Sequence, residues 1–357
     1  MFAGRYELVD QLGDGGMGTV WRCWDHRARV YVAAKVLRQS DASSLLRFVR
    51  EQSYRVQHPH VVTPLGWAGE DDRVLFTMPI VRGGSVTTLL GDFGRLPGTW
   101  VAVLLDQLLD ALSAVHAAGL VHRDVKPGNL LLEPTGAAPP YLRLSDFGIA
   151  AVVGGPRLTS TSAVVGTPGY FAPEHLRGAG PDPKQDLFAS GVVAAEMLTG
   201  ASPLAAASAL GQPGPGCPHD LWALVSSLAA PGPESRPESA SSARSLLAAT
   251  GLLAAPGASD PSDDEIEVLD QVPALPQGWD DHGPVRRLAR PRGRAGEASS
   301  SAHSPVTLLT RSTPQQSCNG SRPSASWPTR CRRSTSSHRC CSSASPRWPQ
   351  AAAAGPA

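Results

Sequence analysis

Three observations predict an α+β chain with a small strand-rich N-terminal lobe, a larger helical lobe and a disordered C-terminal tail. Apolar and β-branched runs separated by turn residues fill residues 6–81. From about residue 99 apolar residues recur at helical spacing. After residue 250 Pro, Gly and Ser become too dense to support a second core, so the folded domain is placed at 6–250 and the tail at 251–357.

The elements follow in order. "YELVDQLG" and "GTVWRCWD" are strands flanking a glycine cluster, and "VYVAAKVL" is a third. "VVTPLGWAGEDDRVLFTMPIV" contains two more around an acidic turn, and one helix, "ASSLLRFVREQSYRV", interrupts them. In the second lobe, expected over 82–250, "TWVAVLLDQLLDALSAVHAAG" is a helix closed at Gly119. "DLFASGVVAAEMLTG" is apolar nearly all round, which predicts a buried helix. "HDLWALVSSLAA" and "SSARSLLAATG" are shorter amphipathic helices.

A net charge of +1 with mixed signs gives no electrostatic case for nucleic acid or a membrane surface as a partner. No apolar run is expected to span a bilayer, and "MFAGRYELVDQLG" lacks a signal-peptide pattern, so a cytoplasmic location is expected. The six cysteines form no disulfide framework, and Cys331, His338, Cys340 and Cys341 fit no ordinary zinc module. The acidic "SDDEIEVLD" and the arginine-rich stretch after it are expected to form a solvated linker.

Lysine and asparagine are rare here, with only three and two residues, so their positions carry information. "HRDVKPGN", His122 to Asn129, holds one of each. Where such scarce residue types remain, chemistry is the better explanation.

Five motifs then stand in a familiar order: "LGDGGMGTV", "VAAKVL", "HRDVKPGNLLL", "SDFGIA" and "GTPGYFAPE". Residues 6–250 thereby resemble the protein kinase family, in particular the bacterial eukaryotic-type serine/threonine kinases. The resemblance implies a bilobal kinase fold, with ATP and Mg2+ (or Mn2+) as cofactors and protein Ser/Thr hydroxyls as acceptors. It also raises a homodimer as a possible assembly. By motif, Asp124 is the base, Lys126 the cation at the transferring group, and Asn129 and Asp146 the metal ligands. Lys35 holds the nucleotide phosphates and pairs with Glu51. Leu12, Gly13, Gly15, Gly18, Val20, Ala33, Met78, Val81 and Leu131 form the ATP pocket. Arg123, Thr167, Glu174, Asp186 and Arg236 take structural roles, with Glu174 expected to pair with Arg236. Thr159 and Thr161 are the expected phosphosites, a phosphate on Thr161 pairing with Arg123.

A second "DFG", Asp92 to Gly94, precedes the Asp124 loop and is read as a turn into the next helix. The segment around Glu51 is short for the family, and residues 200–220 look trimmed. Both features keep open the alternative of a pseudokinase scaffold that binds nucleotide or partners without turnover. A small-molecule kinase is a third reading, against which "GTPGYFAPE" argues.

Overall fold

Residues 1–15, 18–38, 56–70, 73–146, 151–152, 169–203, 213, 216–254 and 266–285 are described by the structure, a computed structural model. The chain divides into a unit Met1–Ala289 and a second unit Arg290–Ala357, which lies outside the described residues.

The first lobe is a five-stranded antiparallel sheet of order β1-β2-β3-β5-β4. Its strands are β1 (Tyr6–Gly15), β2 (Gly18–Asp25), β3 (Val30–Arg38), β4 (Gly66–Glu70) and β5 (Arg73–Met78). Side chains alternate between the two faces of a strand, so each strand serves two environments. Cys23, Val32, Ala34 and Leu75 turn to one face and build a small core with Phe2 and Tyr6. Ala33 and Lys35 turn to the other, which looks toward the second lobe. Bidentate pairs Arg5–Asp25 and Arg22–Asp10 brace the β1–β2 hairpin.

Helix α1 (Val86–Phe93) opens the second lobe with a Ser85–Thr88 capping box. Helix α2 (Gly98–Ala117) follows and buries Val101, Leu104, Leu105, Leu108, Leu112 and Val115. That spacing is one face of a helix repeated over its length. By length and composition α2 is also long and apolar enough to cross a membrane, a candidate that the sequence reading did not pick out. Here it is the central core helix, packed on α4 (Pro183–Thr199), α6 (Ala240–Ala249) and the strand β8 (Leu142–Leu144). Its polar side is used as well: Arg244 of α6 donates to both Asp106 and Asp110.

Short strands carry the chemistry between these helices: β6 (Leu120–Val121), β7 (Leu130–Leu132), β8 (Leu142–Leu144) and β9 (Ala151–Val152). They pair β6 with β9 and β7 with β8. After the four-residue helix α3 (Pro173–Leu176) comes α4, capped by Asp182 at its start and by left-handed Gly200 at its end. Thirteen residues of α4 are buried, which fits its all-round apolar sequence. Helix α5 (His219–Leu228) packs against it.

Two sequence expectations change. Asp92 and Phe93 complete α1 and Gly94 caps it, so the second "DFG" is a helix end, with Phe93 packed on the core. Part of the stretch assigned to the tail belongs to the packed unit: residues 266–285, including the hairpin β10 (Trp279–Asp280) with β11 (Gly283–Pro284), lie on the domain. Ile266 and Val268 are buried there. A few apolar anchors suffice to dock a strand-like segment onto an existing core, and a composition-based reading averages them away.

Cys23 is fully buried, and burial, with a smaller contribution from the Asp25 charge, pushes its thiol up to about 12. Because the thiolate is the nucleophile, iodoacetamide at about pH 8 should leave Cys23 unmodified until denaturant opens the sheet. Mass mapping checks this, and rapid labelling of the native chain would contradict it.

Candidate active site

Strand alternation delivers Lys35 to the face between the lobes, where it is 9% exposed and ion-paired with Asp146. Asp146 has a left-handed backbone, φ 70°, as does Arg123 at 66°. That conformation costs a non-glycine residue about 1–2 kcal/mol, so the surrounding bonds must hold both residues in place.

Those bonds are present. Asn129, 5% exposed, donates from Nδ2 to the Asp124 carbonyl at 2.7 Å and to Asp124 Oδ2 at 2.9 Å. Lys126 Nζ donates to the same Oδ2 at 2.8 Å. One carboxylate oxygen is thus fixed by two donors, which orients the whole Asp124 group. With its amide nitrogen committed to acceptors, Asn129 retains Oδ1 as its remaining acceptor.

A second set of bonds joins this loop to Asp146. The Ser145 N–H and hydroxyl both donate to the Asn129 carbonyl, at 2.8 and 3.0 Å. His122 is fully buried; its Nδ1 accepts from the Asp124 N–H, and its Nε2 lies 3.0 Å from the Ser145 carbonyl. These two contacts tie the ring to both loops at once. His60 to Val62 runs beside β8 and bonds Leu144 from both sides, which fixes the strand leading into Asp146.

Beneath the loop lies Asp186, 1% exposed, in the first turn of α4. Its two oxygens accept the backbone N–H groups of His122 and Arg123, each at 2.8 Å, and His116 Nε2 lies 2.8 Å from Oδ2. Burial pushes this carboxyl up, but His116 and the backbone donors outweigh burial and hold it below the ordinary carboxylate range. His116 is a partner that no sequence motif marks.

On the far side, Arg236 uses all five of its N–H groups. They go to both Glu174 oxygens, at 2.6 and 2.8 Å, and to the carbonyls of Ala230, Lys184 and Pro231. Arg123 Nη2 donates to His175 Nε2 at 2.9 Å, a second pairing unmarked in the sequence. Burial, then the Arg123 charge, holds His175 below its usual range, consistent with a neutral acceptor. Among the described residues, Arg123 Nε is buried without a partner.

The remaining expected residues fall into two groups. Val20 faces Lys35 across β2–β3, and Ala33 faces Met78 across β3–β5. Leu131 lies in β7, bridged to Ser85, and Val81 follows β5 in the link between lobes. Leu12 and Gly13 lie in β1, and Gly15 pairs with Gly18 across the glycine hairpin. Glu51, Thr159, Thr161 and Thr167 lie outside the described residues.

The donor set fits a hard divalent cation, with the Asn129 amide oxygen and the Asp146 carboxylate on adjoining, mutually bonded loops. Among the described residues no group of three or more His, Cys, Asp or Glu is placed to hold a metal by itself. A cation here would share its ligands with phosphate oxygens, as Mg2+ commonly does.

Burial pushes the Glu174 carboxyl up, but the Arg236 hydrogen bonds and charge prevail and its value is lowered. A lowered folded value means that this contribution to stability is present above the ordinary carboxylate range and is lost as pH falls through the lowered value. Thermal midpoints measured between about pH 7 and pH 3 should therefore drop on the acid side, and Glu174→Gln should remove part of that drop. An acid limb of the same depth in the variant would contradict the pairing energetics.

The chain matches the protein kinase domain family over residues 6–213. It is 33% identical over 340 residues to the serine/threonine-protein kinase PkaA of Streptomyces coelicolor, covering 85% of this chain and 62% of that protein. It is 37% identical over 236 residues to PknA of Mycobacterium tuberculosis, covering 61% and 54%. With the DNA damage-responsive kinase RqkA of Deinococcus radiodurans it shares 41% identity over 212 residues, covering 57% and 31%. The matched regions are thus at most about 62% of the length of these relatives. With the Lys35–Asp146 pair and the Asp124–Lys126–Asn129 cluster in place, this chain belongs to the protein kinase family.

Proposed function

We propose that the chain is an ATP-dependent serine/threonine protein kinase that transfers the γ-phosphoryl group of ATP to protein hydroxyls. The observation that carries this reading is one bonded cluster: Asp124, oriented by Lys126 and Asn129, is tied through Ser145 to Asp146, which pairs with Lys35. Mg-ATP, when bound, supplies the transferable phosphoryl group and cationic charge beside it. Lys35 holds the nucleotide phosphates, and Asn129 Oδ1 and the Asp146 carboxylate hold Mg2+, for which Mn2+ can substitute. Asp124 orients the acceptor hydroxyl and takes its proton, and Lys126 offsets charge at the transferring group.

Acceptors include the chain's own Thr159 and Thr161, reached within one molecule or across a homodimer. A phosphate on Thr161 pairs with Arg123, a reading supported by the Nε–H of that guanidinium, which has no partner among the described residues. A cytoplasmic location, expected from the sequence, is part of this proposal.

Phosphate incorporation by the full chain with Mg-ATP tests the reading. Lys35→Ala, Asp124→Asn and Asp146→Asn should each lower incorporation by about 100-fold or more. Label should map to Thr159 or Thr161, and Thr161→Ala should lower activity toward an added protein. Incorporation that survives Asp124→Asn would refute the assigned base. ADP binding without any transfer would instead make the chain a nucleotide-binding scaffold.

A further inference from the structure

Residues 266–285 run from the second lobe, past the link between lobes, onto the first. At the lower end Val268 and Gly136 exchange two backbone hydrogen bonds of 2.9 Å, and Val268 is 1% exposed. Next, the Gln271 N–H donates to the Arg82 carbonyl at 2.7 Å, while Asp270 pairs with the Arg82 guanidinium at 2.7 Å. Arg82 directly follows Val81, one of the expected ATP-pocket residues. Farther on, Arg22 donates to the Ala274 carbonyl at 3.2 Å and the Tyr31 hydroxyl to the Asp280 carbonyl at 2.6 Å. The Trp279 ring lies 6.2 Å from that of Tyr31.

The sheet register shows which face is covered. Arg22, Ala33 and Met78 are opposite one another across β2, β3 and β5, so their side chains share a face. Val20, Lys35 and Phe76 form the next row on that face, and Trp24 with Tyr31 the row on the other side. The segment therefore lies on the face that carries the nucleotide residues, beside the Ala33–Met78 row. Two glycines show close complementarity. A Cβ on Gly83 would meet Val268 Cγ1 at 2.7 Å and the Leu132 carbonyl at 2.6 Å, and one on Gly283, φ 109°, would meet the Trp24 ring at 2.6 Å.

We propose that Ile266–Val285 is a nucleotide-positioning strap, acting through Arg82 and Arg22 to hold the inter-lobe link and the adjoining sheet face in their ATP-binding arrangement. This rests on the kinase reading above. The Arg82 peptide is bonded on its carbonyl side by the strap, and its neighbour Gly83 donates to the Leu132 carbonyl at 2.7 Å. The link is thus clamped between strap and β7. Without the strap bond, nucleotide binding must also order the link, and affinity falls by that cost while the Asp124 cluster is unchanged.

The test uses the full chain. Gln271→Pro removes the N–H that reaches Arg82, Val268→Ala loosens the lower anchor, and Leu246→Ala, at an exposed site on α6, serves as control. ADP affinity and the KM for ATP should weaken about three- to tenfold in Gln271→Pro, with kcat changed less than about twofold and the control unaffected. Val268→Ala should shift KM in the same direction. A lowered thermal midpoint with unchanged ADP affinity and KM would overturn the proposal and leave a merely structural strap, as would a loss confined to kcat. ADP affinity is measured apart from phosphate transfer, so a chain that binds ADP without turnover would count against kinase activity while the strap is still decided by the affinities.

Discussion

The buried Asp186 carboxylate is the interaction on which the site depends. It enters the core at the start of α4 and receives the N–H groups of His122 and Arg123 together with His116. Those two N–H groups belong to a loop that includes a left-handed Arg123 and ends at Asn129. Without a buried acceptor beneath it, the loop would carry both backbone strain and unpaired donors, each costing about 1–3 kcal/mol. Asp186 turns that liability into a fixed platform. Its own burial is tolerated because several donors compensate the charge.

From this platform the order propagates through named bonds. His122 links the loop to the Ser145 carbonyl, Ser145 bonds back to Asn129, and Asp146 follows directly. Asp146 meets Lys35 from the first lobe, so one ion pair spans the two lobes at the point where phosphates and a cation are expected. The structure thus holds opposite charges together that phosphoryl transfer would use separately, Lys35 with phosphate and Asp146 with metal.

Much of the fold was legible because its periodicities are clean. The β-strands of the first lobe and the buried helices α2 and α4 follow from spacing alone. Lys35, Lys126 and Asn129 stood out because lysine and asparagine are scarce, and the structure brings them into one place with Asp124 and Asp146. What the sequence hid depends on tertiary pairing. Nothing local tells His116 to meet Asp186 or His175 to meet Arg123, and the Asp92–Phe93–Gly94 tripeptide spells a motif while ending a helix. The strap was hidden for a different reason: its anchors are single residues such as Val268 and Trp279 in a Pro-, Gly- and Asp-rich stretch, with no period to reveal them.

The most direct measurement is the steady-state kinetics of Asp186→Asn beside its ADP affinity. The substitution keeps the shape but swaps one acceptor oxygen for a donor that faces a backbone N–H. If Asp186 is the platform of the catalytic loop, kcat falls by about tenfold or more while ADP affinity stays within about twofold, since the residue lies away from the nucleotide face. An unchanged kcat in a folded variant, or a loss of ADP affinity with kcat preserved, would contradict that role.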